Sequence, residues 1–141
     1  NLSAKAKPRS LEQHKRFFAL MNAVYTHWPE SHERQFANVE ELRSFLTIKA
    51  GYRIVGAEIP LTGMSKEKAL FIVEAGIRGA GSYAIPVFYR DKIIIFKPKS
   101  IAFGNMTPAD FNALNDAVST VIEQETGIPA EQILRETEAA A

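Results

Sequence analysis

Leu11, Phe18, Met21, Tyr25 and Trp28 recur at three-to-four spacing, and Phe17, Leu20 and Val24 widen the stripe that they form. A helix with so broad an apolar face has to be covered by other elements, so a chain that begins this way folds around a layered core. Ser10 with Gln13 three residues later is a capping-box pattern and Pro29 closes the run, which predicts a helix from about Leu11 to His27. The ten residues before it have no apolar periodicity and contain Pro8, and read as a basic arm.

A polar stretch from Glu30 to Gln35 leads to Asn38, with Glu41 three residues on, then Leu42, Phe45, Leu46 and Ile48, and Gly51 as a stop. This predicts a second, shorter helix. From Tyr52 the vocabulary changes to short apolar and β-branched stretches broken by Gly and Pro: Tyr52 to Ile59, Ala69 to Glu74, Tyr83 to Tyr89 and Ile93 to Lys97. These read as three or four strands of an antiparallel sheet. Arg90-Asp91-Lys92 is a tight connection between the last two, and Pro86 marks its strand as an edge or a bulge. Thr107-Pro108-Ala109-Asp110 supplies an N-cap, a proline at the first helical position and an early acid. Phe111, Leu114, Val118, Val121 and Ile122 then carry helical spacing as far as Gly127. Pro129 opens a short last helix, Ala130 to Glu136, and residues 137–141 are expected to fray. The order gives one α+β domain over residues 11–136: a small, mostly antiparallel sheet packed with N-terminal and C-terminal helices.

At 141 residues the chain can bury one sizeable core, and 46% hydrophobic against 23% charged residues place it well away from disordered compositions. Its longest apolar runs span a few residues where a membrane helix needs about 20. The basic Asn1–Ser10 stretch is followed by Glu12, Gln13, His14 and Lys15 instead of an apolar segment, so no secretory signal is read and a cytoplasmic location in the host cell is expected. The absence of cysteine excludes disulfides and thiolate metal sites.

Charge is uneven along the chain. Residues 1–100 hold 16 Lys and Arg against nine Asp and Glu, whereas residues 101–141 hold one against seven. Such a split suits a polyanion partner or a protein contact, and it equally suits an acidic C-terminal helix folded onto a basic surface. A search for catalysis finds little. His14, His27 and His32 have no recognised ligand spacing, no Gly-x-Ser-x-Gly is present, and Gly79-Ala80-Gly81-Ser82 lacks the context of a phosphate loop. Neither an active site nor a cofactor or metal is expected. The basic set remains: Lys5, Lys7, Arg9, Lys15 and Arg16 around the first helix, with Lys92, Lys97 and Lys99 by the last strand. An arm of this kind leading into a helix N-terminus offers donors and a favourable dipole to phosphate. Tyr52, Tyr83, Phe88 and Tyr89 are read as core aromatics ahead of stacking surfaces.

The segment from Lys7 to Leu20, the stretch Lys97-Pro98-Lys99-Ser100-Ile101-Ala102-Phe103 with Met106, Asp110 and Phe111, and Lys49-Ala50-Gly51-Tyr52 resemble blocks of a family of small tailed-phage and prophage proteins of unknown activity. Arg9-Ser10-Leu11-Glu12-Gln13 with Lys15-Arg16 is similar to a short pattern of the NinB (Orf) recombination proteins of lambda-type phages. That resemblance implies a dimer that binds single-stranded DNA and carries over Arg9, Gln13, Lys15 and Arg16. The expected nucleic-acid contacts are therefore Lys7, Arg9, Gln13, Lys15, Arg16, Lys97 and Lys99. The alternative is a module that docks on a host or phage protein through its acidic C-terminal helices or the strand near Pro86, and a homodimer is compatible with either reading.

Overall fold

The computed structural model describes residues 11–80, 83–99 and 106–140. The expected cap at Ser10, the arm that carries Lys7 and Arg9, and the Gly81-Ser82 pair lie outside these residues. Helix α1, Leu11–Thr26, buries Phe17, Leu20, Met21, Ala23 and Val24, the stripe anticipated from spacing. Helix α2, Val39–Lys49, starts where Asn38 accepts the Glu41 N–H at 3.0 Å, while the Glu41 carboxylate accepts the Ala37 N–H at 3.0 Å. These reciprocal bonds satisfy donors that a helix start leaves open.

Strand β1, Arg53–Pro60, is followed by helix α3, Lys66–Ala80, then by strands β2, Ile85–Tyr89, and β3, Lys92–Pro98. Ala69–Glu74, expected as a strand, is thus the middle of a helix. Ser65 Oγ accepts the Lys68 N–H at 3.1 Å, and Ala69, Val73 and Ile77 repeat at four-residue spacing along the side that packs inward. A capped periodicity over 15 residues outweighs a local run of β-branched residues such as Ile72-Val73. The sheet has the order β1-β3-β2, antiparallel throughout, so β3 is central and the Pro86 strand is an edge. A two-residue turn, Arg90-Asp91, joins β2 to β3, with Arg90 in the left-handed region at φ 56°.

Helix α4, Pro108–Thr126, begins at Thr107, whose hydroxyl accepts the Asp110 N–H at 3.1 Å, and stops at Gly127 with φ 78°. Helix α5, Ala130–Ala140, continues past Glu136, where the sequence reading stops it, because the Glu-Ala-Ala run is made of strong helix formers.

Alternation along β3 divides two layers. Ile93 and Ile95 face α3, where they meet Ala69, Val73, Ile59 and Leu61. Phe96 and its β2 neighbour Ile85 face the main core built by α1, α2, α4 and α5. Helix α2 joins the layers: it packs on α1, α4, β1 and β3. The 27–38 connection is pinned by side chains, since Trp28 Nε1 donates to Arg34 O at 2.8 Å and Tyr25 Oη donates to Ala37 O at 3.1 Å.

Candidate nucleic-acid interface

Gly51, at φ 98°, turns the chain from the end of α2 straight into β1. Tyr52 then donates its N–H to Thr47 O at 3.0 Å and accepts the Lys99 N–H at 2.9 Å. One residue further, Arg53 stands opposite Pro98 and Ile54 opposite Lys97. The turn therefore brings Lys49, Arg53, Lys97 and Lys99 to one end of the β1–β3 pair, where Arg53 shares the Phe96 face of the sheet and Lys97 projects from the other.

The Arg53 guanidinium lies 4.5 Å over the Phe96 ring and donates to Ile48 O at 3.4 Å, and the Lys49 ammonium is 5.9 Å from the Phe45 ring. Both cations offset the negative end of the α2 dipole. Lys97 and Lys99 sit beyond that influence: Lys99 is exposed, and Lys97 is half buried with its stem laid against Gly56. A cavity of about 270 Å³ lies beneath this stem, between β1 and the Gly76-Ile77 stretch of α3. Among the described residues no carboxylate is within ion-pair distance of Lys15, Lys49, Arg53, Lys97 or Lys99.

The α1 members of the expected set have different surroundings. Arg16 Nη2 donates to both oxygens of Glu131, at 2.9 and 3.2 Å, and Gln13 Nε2 donates to Asn112 Oδ1 at 2.9 Å. Basic α1 thus meets acidic α5, the folding-together that the charge split allowed. With both side chains about 60% exposed, the Arg16–Glu131 pair contributes at most about 1 kcal/mol. Lys15 is exposed. Lys92, at the far end of the sheet, is engaged by Glu58 at 2.6 Å, and that hydrogen bond and charge raise its pKa. Lys7 and Arg9 lie outside the described residues. The structure therefore gathers Lys97 and Lys99 and leaves Gln13, Lys15 and Arg16 on a separate helix. Lys49 and Arg53 escaped the sequence reading, although Gly51 between them is the signal for a turn that folds the two back together.

The histidines are engaged structurally or placed apart. His32 Nδ1 accepts the Arg34 N–H at 2.9 Å, so its proton sits on Nε2, 2.7 Å from the Glu125 carboxylate, and its ring lies 4.8 Å from that of Trp28. No cluster of three or more His, Asp or Glu side chains suited to a metal occurs among the described residues. A larger groove of about 640 Å³ opens between the start of α2 and the end of α3, lined by Glu40, Glu41, Ser44, Ile77, Arg78 and Tyr83. Its carboxylates are committed, Glu40 to Arg43 and Glu41 to the helix cap. Burial raises the Tyr83 pKa, against the lowering effect of nearby Arg34. No helix among the described residues is long and apolar enough to cross a membrane. Comparison with known protein families, curated proteins and solved structures returns no match for this chain.

Proposed function

We propose that this chain is a binding protein for single-stranded DNA, acting as an accessory in recombination or replication of the phage type. The observation that supports the reading is the gathering of Lys49, Arg53, Lys97 and Lys99 at one end of the β1–β3 pair, clear of described carboxylates, with Arg53 on the Phe96 face of the sheet and Lys97 on the other. Cations in such a set neutralise phosphates without reading sequence and release counterions on binding. With about three to four phosphates contacted, affinity falls about 20-fold to 50-fold between 50 and 200 mM salt.

Fluorescence anisotropy with labelled single-stranded and duplex oligonucleotides at these two salt levels tests it, comparing the intact chain with Lys97→Ala/Lys99→Ala. Salt-sensitive single-strand binding that weakens in the variant supports the proposal. Absent or salt-insensitive binding sinks it, and so does binding that the double variant leaves untouched.

A second reading, docking on a protein partner, is favoured by the exposure of Val87, Phe88 and Tyr89 on the edge strand β2. It predicts a partner in pulldowns whose recovery is lost with Val87→Lys.

A further inference from the structure

Among the described residues the outer edge of β1 pairs with nothing, and the strand is open on both faces, with Ile54 51% and Val55 52% exposed. The other free edge, β2, is blunted by Pro86, which has no N–H to donate.

The geometry points to a second copy of this chain as the occupant of the β1 edge, joined β1 to β1 in antiparallel fashion about a twofold axis. The irregularity between Val55 and Ala57 is what makes the strand self-complementary. In a regular strand Arg53 and Glu58, five residues apart, point to opposite faces. Here Gly56 is an extra residue, and Arg53, Val55 and Glu58 share the face that carries Pro98, Phe96 and Ile94 of β3. A twofold normal to the sheet matches only residues on the same face. Centred on Val55, it sets Val55 against its copy, Arg53 against the copy's Glu58 at both ends of the seam, and Ile54 against the copy's Ala57 on the other face. Moving the axis one step either way sets Arg53 or Glu58 against an apolar residue instead. Opposite charges across a ladder stabilise and like charges destabilise, so the charges select the centred register. The pairing joins two three-stranded sheets into one of six strands and leaves Lys97 and Lys99, on the inner strand, outside the seam, while Arg53 of the proposed DNA site and Glu58, the partner of Lys92, enter it.

This inference does not depend on DNA binding, and its test uses no nucleic acid. Sedimentation equilibrium of the full chain from about 1 to 100 µM is expected to give twice the chain mass at the upper end. Arg53→Glu alone and Glu58→Arg alone each weaken the dimer by about tenfold or more by setting like charges across the seam, and Arg53→Glu/Glu58→Arg restores it to within about threefold. Ile54→Lys, at a side chain already half exposed in the monomer, disrupts the dimer while the circular dichroism spectrum is retained. It keeps the test decisive if a charge-reversed chain misfolds. A monomer at every concentration overturns the proposal. So does a dimer indifferent to Ile54→Lys, or a double charge reversal no better than the single ones in chains that fold.

Discussion

Gly56→Ala separates the stability of the β1–β3 pair from the placement of Lys97. An alanine Cβ at this position stands 2.6 Å from Lys97 Cδ and 3.0 Å from Cγ, while its nearest backbone atom, Ile95 O, is at an ordinary 3.5 Å. The obstacle is thus the stem of a flexible side chain, which swings aside at a cost of about 0.5–1.5 kcal/mol if it leaves its rotamer well. Replacing a strand glycine offsets this by about 0.5–1 kcal/mol through the lower entropy of the unfolded chain. Net stability should change by less than about 1 kcal/mol, which is a shift of about 4 °C or less in Tm. Binding responds differently. Once the stem is displaced, the Lys97 ammonium no longer projects beside Lys99, and the salt slope of single-strand binding drops by about 0.7, one phosphate's share. Thermal melts and salt-dependent anisotropy on the same variant report the two quantities. Two results would refute this account: a Tm lower by more than about 8 °C, which would mean that backbone and not the lysine resists, or an unchanged salt slope in a Gly56→Ala chain when Lys97→Ala lowers it.

Other expectations follow from individual contacts. His32→Ala leaves the Arg34 N–H and the largely buried Glu125 carboxylate without their partner and removes a ring from Trp28, so stability falls by about 2 kcal/mol and Tm by about 6 °C; a shift under about 1 °C would show the contact to be idle. Arg90→Gly relieves a left-handed residue in the β2–β3 turn and should raise stability by up to about 1 kcal/mol in denaturant titration, whereas a loss would mean that the Arg90 stack on Tyr89 outweighs the strain. Tyr83, half-buried, holds its proton above the ordinary tyrosine value of 10.0, so the folded state binds that proton more tightly than the unfolded chain. Its contribution is complete below pH 10.0 and is lost as pH rises through the folded-state pKa; alkaline melts should steepen there and flatten in Tyr83→Phe.

Caps and stops could be recognised in the residues themselves. Asn38 with Glu41, Thr107-Pro108 with Asp110, and Gly127 each act through bonds that close within four residues, so local order alone determined where α2 and α4 begin and where α4 ends. The apolar stripes of α1 and α4 were equally legible, because burial of one face repeats with the helical period. The segment Ala69–Glu74 marks the limit of that logic. Five apolar residues followed by Glu74 fit a strand or a helix equally well, and what decided was that Ala69 and Val73 have Ile93 to pack against and the sheet has its other face on α2. Long-range partners were beyond sequence for the same reason. Arg16 meets Glu131 across 115 positions and His32 meets Glu125 across 93, so two basic residues of similar appearance, Arg16 and Lys97, end in opposite circumstances: one joined to an acidic helix, the other clear of described carboxylates against Gly56. Local chemistry determined the elements and their ends. Only the packing of α2 between the helical layer and the sheet decided which charges were neutralised and which were gathered at one end of β1 and β3, because a charge acts on what lies within a few ångströms and that neighbourhood is set by tertiary contacts.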